Sequence, residues 1–269
     1  MDQPGITVID AFTQKPFTGN PAAVCIVKEP RNDAWLQAVA REMNLSETAF
    51  LWPLAQSTYR LRWFTPKIEV KLCGHATLAS AHLLWEQNIE PVASLLKFET
   101  LSGTLTAQYQ GSGWIALDFP SGPAKECACP PELRASLQVE PLYCGRYEST
   151  YLVEVADKDV LLAIQPDFNS MLRTGFGRSI VTSRAAPSEP YDFVSRFFAP
   201  DAGINEDPVT GSAHCILGPY WASKLGKREL LAFQASERGG ELRLTVGDTR
   251  TILQGQAVTV LRGHLAIDG

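Results

Sequence analysis

The feature that most constrains this chain is an internal echo. Arg62-Trp63-Phe64-Thr65-Pro66 is matched by Arg196-Phe197-Phe198-Ala199-Pro200, half a chain length away in a sequence of 269 residues. Both segments read Arg-aromatic-Phe-x-Pro. A turn segment follows each proline, and a glycine then opens an apolar run. The first run is Gly74-His75-Ala76-Thr77-Leu78-Ala79-Ser80-Ala81-His82-Leu83-Leu84-Trp85. The second is Gly211-Ser212-Ala213-His214-Cys215-Ile216-Leu217-Gly218-Pro219-Tyr220-Trp221-Ala222. Neither contains Asp, Glu, Lys or Arg. A helix with no polar face must be buried on every side. Two such helices at matching places indicate duplication, with each half wrapping a curved sheet or barrel around its own central helix.

The remaining pattern fits an α+β (mixed α/β) chain of two pseudo-symmetric halves. Ile6 to Asp10, Ala22 to Val27, Thr48 to Trp52 and Tyr59 to Phe64 read as strands. Asn32 is placed to cap a helix through about Met43, with Trp35, Leu36, Val39, Ala40 and Met43 on one face. Leu105-Ala107-Tyr109 and Ile115-Leu117-Phe119 alternate around Gly111-Ser112-Gly113, a hairpin signal. The segment from Pro120 to Pro131 is rich in proline and reads as the linker. Strands recur at Ser149 to Val155, Ser179 to Thr182, Tyr191 to Phe198 and after Leu230. The expected halves are 1–120 and 130–257, with a strand at about 258–269 returning to the first.

Composition narrows the function classes. Hydrophobic residues make up 45% and charged residues 20%, a balance that supports a packed core. A net charge of −5 carries no nucleic-acid footprint. No stretch approaches the roughly 18 apolar residues of a membrane span. The segment after Met1 lacks the basic region and apolar core of a leader, so the expected location is cytoplasmic. The six cysteines are irregularly spaced and expected to be free thiols.

Chemistry is expected where the two central helices begin. Small residues in Asn205-Glu206-Asp207-Pro208-Val209-Thr210-Gly211-Ser212 let the backbone approach a ligand. A helix N-terminus offers N–H groups and partial positive charge, which suits a carboxylate. Gly74-His75-Ala76-Thr77 offers the same in the first half, so the two helix starts are expected to face a cleft between the halves. The plainer reading makes Asp207, Thr210 or Ser212 simple caps. Glu47, in Leu45-Ser46-Glu47-Thr48-Ala49-Phe50, is a carboxylate beside apolar neighbours. Such a group has a raised pKa and suits general acid–base work; the plainer reading is a surface residue or a capping partner of Ser46. His75 is a proton-transfer candidate or a satisfied core histidine. Cys73, at a helix start, is a possible acid–base thiol.

Local spacing offers no metal site. His75 and His82 stand about two turns apart, on the order of 10 Å along a helix. Cys127-Ala128-Cys129 lacks a second pair, and His214 and His264 have no ligand-spaced partner. No dinucleotide glycine motif, phosphate-loop lysine or nucleophile elbow is present.

Several motifs together resemble the phenazine-biosynthesis isomerase family, in family order from residue 6 to about 226. They are Asp10-Ala11-Phe12-Thr13, Pro16-Phe17-Thr18-Gly19-Asn20-Pro21-Ala22-Ala23-Val24, Ser46-Glu47-Thr48-Ala49-Phe50, and Phe64-Thr65-Pro66 with Glu69-Val70. Cys73-Gly74-His75-Ala76-Thr77 and Asp207-Pro208-Val209-Thr210-Gly211-Ser212-Ala213-His214 complete the set. The resemblance implies a diaminopimelate-epimerase-like fold, a homodimer, and no cofactor. It implies a cofactor-independent isomerase acting on a small acidic, amino-acid-like substrate. It makes Glu47 the acid–base and His75 and Asp207 its catalytic companions. Ser46, Gly74, His75, Ala76, Asp207, Gly211 and Ser212 are then the substrate-binding residues. The best-known family reaction isomerises trans-2,3-dihydro-3-hydroxyanthranilate, although many similar chains make no phenazine.

Two rival readings accompany this one. An amino-acid racemase, epimerase or dehydratase on the same fold would use Cys73, but Thr210 stands where a second thiol would be. A non-catalytic ligand-binding protein could keep the fold, but an intact Glu47 argues against it.

Overall fold

A computed structural model describes residues 3–266. The chain divides into two compact units. Unit 1 comprises the residues up to Asp118 together with those from Gln254 onward, and unit 2 is Phe119–Leu253.

Unit 1 opens with β1 (Gly5–Ala11), β2 (Asn20–Ile26), α1 (Asp33–Met43), β3 (Glu47–Ala55) and β4 (Thr58–Phe64). It continues with β5 (Glu69–Val70), α2 (Gly74–Glu86), β6 (Leu96–Thr100), β7 (Gly103–Tyr109) and β8 (Ile115–Pro120). Unit 2 carries β9 (Lys125–Glu126), α3 (Pro131–Leu137), β10 (Tyr143–Tyr147), β11 (Thr150–Glu154), α4 (Lys158–Ala163) and α5 (Phe168–Thr174). There follow β12 (Ser179–Arg184), β13 (Phe193–Ala199), β14 (Ile204–Asp207), α6 (Gly211–Leu225), β15 (Glu229–Gln234), β16 (Gly240–Val246) and β17 (Arg250–Gly255). The last strand, β18 (Ala257–His264), belongs to unit 1.

In unit 1 the strands pair in the order β18, β1, β2, β3, β4, β6, β7, β8, with β5 on the end of β4. The contacts β2–β3 and β4–β6 are parallel. In unit 2 the order is β9, β10, β11, β12, β13, β15, β16, with β14 on the end of β13. Here β11–β12 and β13–β15 are parallel. Order and direction match pair by pair. Parallel neighbours need a crossover. In unit 1, α1 and α2 supply it; in unit 2, α4 with α5, and then α6, supply it. The architecture is α+β with mixed sheets, and the sequence echo is a repeat of topology.

The echoed arginines perform the same task twice. Arg62 donates from Nε and Nη2 to Glu69, both at 2.7 Å. Arg196 donates in the same way to Glu206, both at 2.8 Å. Each guanidinium also lies over the phenylalanine two residues on, at 5.0 Å for Phe64 and 4.9 Å for Phe198. A bidentate pair has fixed geometry. It ties β4 to β5 and β13 to β14, the short strands that lead into α2 and α6.

The absence of a polar face on these helices is matched by burial. α2 lies against β1, β2, β3 and β18. Leu78, Leu83, Leu84 and Trp85 are buried, and each such side chain contributes about 1.5–3 kcal/mol. α6 lies against β15 and β16. Gly218 permits that approach, since a Cβ there would meet Val246 at 3.2 Å and Leu244 at 3.3 Å. Pro219, inside α6, has no N–H to give the Cys215 carbonyl. That carbonyl accepts from the Gly122 N–H instead, at 2.9 Å.

The expected elements recur with differences that have physical causes. Asn32 caps α1, its side chain accepting from the Trp35 N–H at 2.9 Å. The hairpin turns through Gly111, Ser112 and Gly113, all at positive φ, between β7 and β8. The stretch read as a linker is more structured than expected. It contains β9, and Pro131 opens α3, since proline is favoured where a first-turn N–H has no acceptor. β18 pairs antiparallel with β1. Positions 267–269 of the expected returning strand, and residues 1 and 2 of the expected first half, lie outside the described residues. Among the described residues no helix is long and apolar enough to cross a membrane.

Candidate active site

Unit 1 assembles its polar centre from three elements. β2 and β3 run parallel with Ala22 opposite Glu47, which brings Asn20 and Glu47 to the same end of the sheet. The segment before β2 is tightly folded. Phe12, Phe17 and Gly19 all have positive φ, and a Cβ on Gly19 would meet the Ala11 carbonyl oxygen at 2.2 Å. The Phe17 N–H donates to Asp10 Oδ2 at 2.7 Å, closing this loop. The Arg62–Glu69 clamp fixes β5, after which Cys73 occupies the N-cap of α2 without a side-chain capping bond. Thr77 Oγ1 donates back to the Cys73 carbonyl at 2.5 Å. Gly74, His75 and Ala76 form the first turn, all buried.

His75 is the hub. Its Nε2 stands 3.3 Å from Glu47 Oε2, close but not aligned as a hydrogen bond. Its Nδ1 stands 3.2 Å from Asn20 Nδ2 and 3.5 Å from Cys73 Sγ. Ser46 Oγ donates to Asn20 Oδ1 at 3.4 Å, which leaves the amide nitrogen to face the imidazole. Burial pushes the His75 pKa down to about 3, so the ring is neutral near pH 7. A neutral imidazole has one donor and one acceptor nitrogen. Asn20 donates to Nδ1, so the proton sits on Nε2, the nitrogen 3.3 Å from Glu47 Oε2. The Glu47 side chain is 15% exposed, enough to meet a ligand while its other side faces His75.

Glu47, Cys73 and His75 also bring three metal-ligating atoms within 4.8 Å of one another. Local spacing missed this set because Glu47 comes from β3 and the others from α2. Sulfur, imidazole and carboxylate are ligands zinc accepts. However, Cys73 and Glu47 neighbour opposite nitrogens of one ring. That arrangement suits a row of polar contacts through the imidazole better than three ligands on a single ion.

Unit 2 builds a different centre at the start of α6. Thr210 is the N-cap and makes no side-chain capping bond to the helix. Its hydroxyl donates to Asp207 Oδ2 at 2.5 Å. The buried Gln234 amide accepts from the Thr210 N–H at 2.8 Å and donates to the Asp207 carbonyl at 2.7 Å. Asp207 and Thr210 are buried, Gly211 is buried behind them, and Ser212 is exposed. His214 is held neutral by burial, its pKa lowered to about 4. Its Nδ1 lies 2.8 Å from the Thr210 carbonyl and therefore donates. The plain capping reading thus fails for Thr210, whose hydroxyl is spent on Asp207.

The structure therefore brings Glu47, His75, Ser46, Gly74 and Ala76 together in unit 1, and Asp207, Gly211 and Ser212 together in unit 2. Sequence reasoning missed Asn20 and Gln234 as positioning residues. Asn20 stood inside a quoted motif, yet only the β2–β3 register shows that it meets His75. Gln234 lies on a strand with no motif around it.

Known proteins share this sequence and fold. The pattern of the phenazine biosynthesis-like protein family matches residues 9–263. An uncharacterized isomerase of Halalkalibacterium halodurans is 53% identical over 263 residues, covering 97% of this chain and 98% of that protein. A crystal structure of a PhzF-family phenazine biosynthesis protein of Enterococcus faecalis superposes with a TM-score of 0.92 at 36% identity, over 99% of this chain and 100% of that one. A predicted epimerase of Pseudomonas aeruginosa shares the fold, with a TM-score of 0.76 at 22% identity over 99% of this chain and 100% of that one.

Proposed function

The chain belongs to the phenazine biosynthesis-like family of isomerases, and we propose that it moves a proton within a small carboxylate or amino-acid-like substrate by general acid–base catalysis. Glu47 is the group that moves it. As a carboxylate it takes a proton from one substrate carbon, and as a carboxylic acid it returns that proton to another. The substrate passes through an enol-type intermediate, with no net change in atoms or charge. The neutral His75 stands beside Glu47, its Nε2 3.3 Å from Oε2. Ser46, Gly74 and Ala76 contribute binding groups from unit 1. Asp207, Gly211 and Ser212 contribute binding groups from unit 2, and Asp207 also assists proton transfer. A cytoplasmic, cofactor-free homodimer belongs to the same reading and rests on the family resemblance.

The observation that carries this reading is the 3.3 Å separation between the Nε2 of a neutral imidazole and a partly exposed carboxylate. NMR in deuterium oxide tests it, using a panel of cyclic and acyclic amino acids. The expected result is deuterium wash-in at a substrate carbon, abolished in Glu47→Gln. Wash-in that persists in Glu47→Gln would overturn the assignment.

A second reading draws on the 3.5 Å separation of Cys73 Sγ from His75 Nδ1. A racemase, epimerase or dehydratase would use that thiol. Its counterpart in unit 2 is Thr210, already bonded to Asp207. Rapid inactivation by alkylation of Cys73 would favour this alternative.

A further inference from the structure

Three of the six thiols gather in unit 2 and take no part in the chemistry above. β9 and β10 pair antiparallel with Glu126 opposite Gly145. The next residues along, Cys127 and Cys144, therefore face each other. The Cys127 N–H donates to the Cys144 carbonyl at 3.0 Å, and the two sulfurs are 3.9 Å apart. Cys129 packs against the same core cluster, its Sγ donating to the Pro130 carbonyl at 3.9 Å. Cys144 is buried, while Cys127 and Cys129 are half-buried.

We propose that Cys127 and Cys144 are a dithiol that a hydroperoxide converts into a cross-strand disulfide. Opposed residues on antiparallel strands sit about 4.5–5.5 Å apart at Cα, within the span of a disulfide. Only side-chain rotation is needed to bring the sulfurs into bonding range. In the first step the half-buried Cys127 thiol attacks an oxygen of the hydroperoxide. The O–O bond breaks, Cys127 becomes a sulfenic acid, and an alcohol, or water from hydrogen peroxide, departs. In the second step the Cys144 sulfur displaces the sulfenic hydroxyl, which leaves as water with the Cys144 proton. Two thiols lose two electrons and the peroxide gains them.

Burial and neighbouring thiols hold the pKa values of Cys144 and Cys129 above the usual thiol range. The second step, which needs the Cys144 sulfur as nucleophile, is therefore slow. A metal cage fits less well. Among the described residues the group that converges three ligating atoms within 4.8 Å is Glu47, Cys73 and His75, not these thiols. The bond would tie the two-residue β9 to β10 and close the loop that carries α3.

The test is treatment of the whole protein with hydrogen peroxide, followed by thiol titration and non-reducing peptide mapping. The expected result is loss of two of the six thiols, a peptide linking Cys127 to Cys144, and full recovery with dithiothreitol. Cys129→Ser should lose the same pair, and Cys127→Ser should lose none. If Cys144→Ser fails to fold, Cys127→Ser alone decides. An unchanged titre, a Cys129–Cys144 link in the wild type, or irreversible sulfinic acid at Cys127 would overturn the proposal. So would zinc or copper co-purifying with the protein and released by Cys129→Ser.

Discussion

The two units share one topology and differ in the polar residues at matched positions. Registers align them without recourse to sequence identity. Thr48 opposes Phe64 in unit 1, and Ser179 opposes Phe198 in unit 2. The residue before each is Glu47 in one and Arg178 in the other. At the central helices Cys73 corresponds to Thr210, His75 to Ser212, and Thr77 to His214. The clamp arginines, crossover directions and buried helices were retained after duplication. The titrating groups were not: one unit kept a carboxylate against a neutral histidine, the other an aspartate locked to threonine and glutamine. Duplication supplied a scaffold twice and left the chemistry free to specialise in each copy.

The sharpest way to break this comparison is to exchange the roles of matched positions. Glu47→Gln should lower kcat by about 10²–10⁴-fold, the range for loss of a general acid–base. Arg178, at the matched position, pairs with the exposed Asp201, and Arg178→Gln should change kcat less than about twofold. Steady-state rates on whichever substrate shows wash-in decide this. Comparable losses in both variants would erase the claimed division of labour.

The clamps should differ in strength despite their shared design. Arg196 also donates to the Leu161 and Ile164 carbonyls, at 3.1 and 2.8 Å. The additional partner of Arg62 is Asp33, which is 79% exposed. Arg196→Met should cost about 3 kcal/mol of stability and Arg62→Met nearer to about 2 kcal/mol. Urea denaturation midpoints measure both, and the reverse ranking would show that the carbonyl contacts contribute nothing.

The smallest effect is one in which the units should behave alike. Burial holds His75 at about 3 and His214 at about 4, against an ordinary value of 6.5. The unfolded chain therefore takes up these protons first as pH falls. The two histidines leave stability unaffected above about pH 6.5 and erode it below, each by about 2 kcal/mol at pH 5. His75→Gln and His214→Gln should each flatten the slope of stability against pH between 6.5 and 5. A variant that leaves that slope unchanged would show that its histidine is protonated in the native state.

Much of the fold was legible because its signals are local. Alternation marked the strands, Asn32 marked a cap, and two glycine-led apolar runs marked the buried helices. The elements that escaped are short. α3 starts in a proline pair that reads as a linker, and α4 and α5 are too brief to show a full apolar stripe. At the site, Glu47 and His75 were legible through family motifs rather than through periodicity. The contacts that orient them were not, because Asn20, Glu47 and His75 meet only once β2, β3 and α2 have packed. Cys144 was likewise invisible as a partner of Cys127 until β9 appeared in the proposed linker.

The return of β18 to β1 has a consequence for synthesis. A ribosome releases all of unit 2 before it delivers the strand that covers β1. The half that begins first is therefore the last to be finished, and until then β1 presents a bare strand edge to other nascent chains.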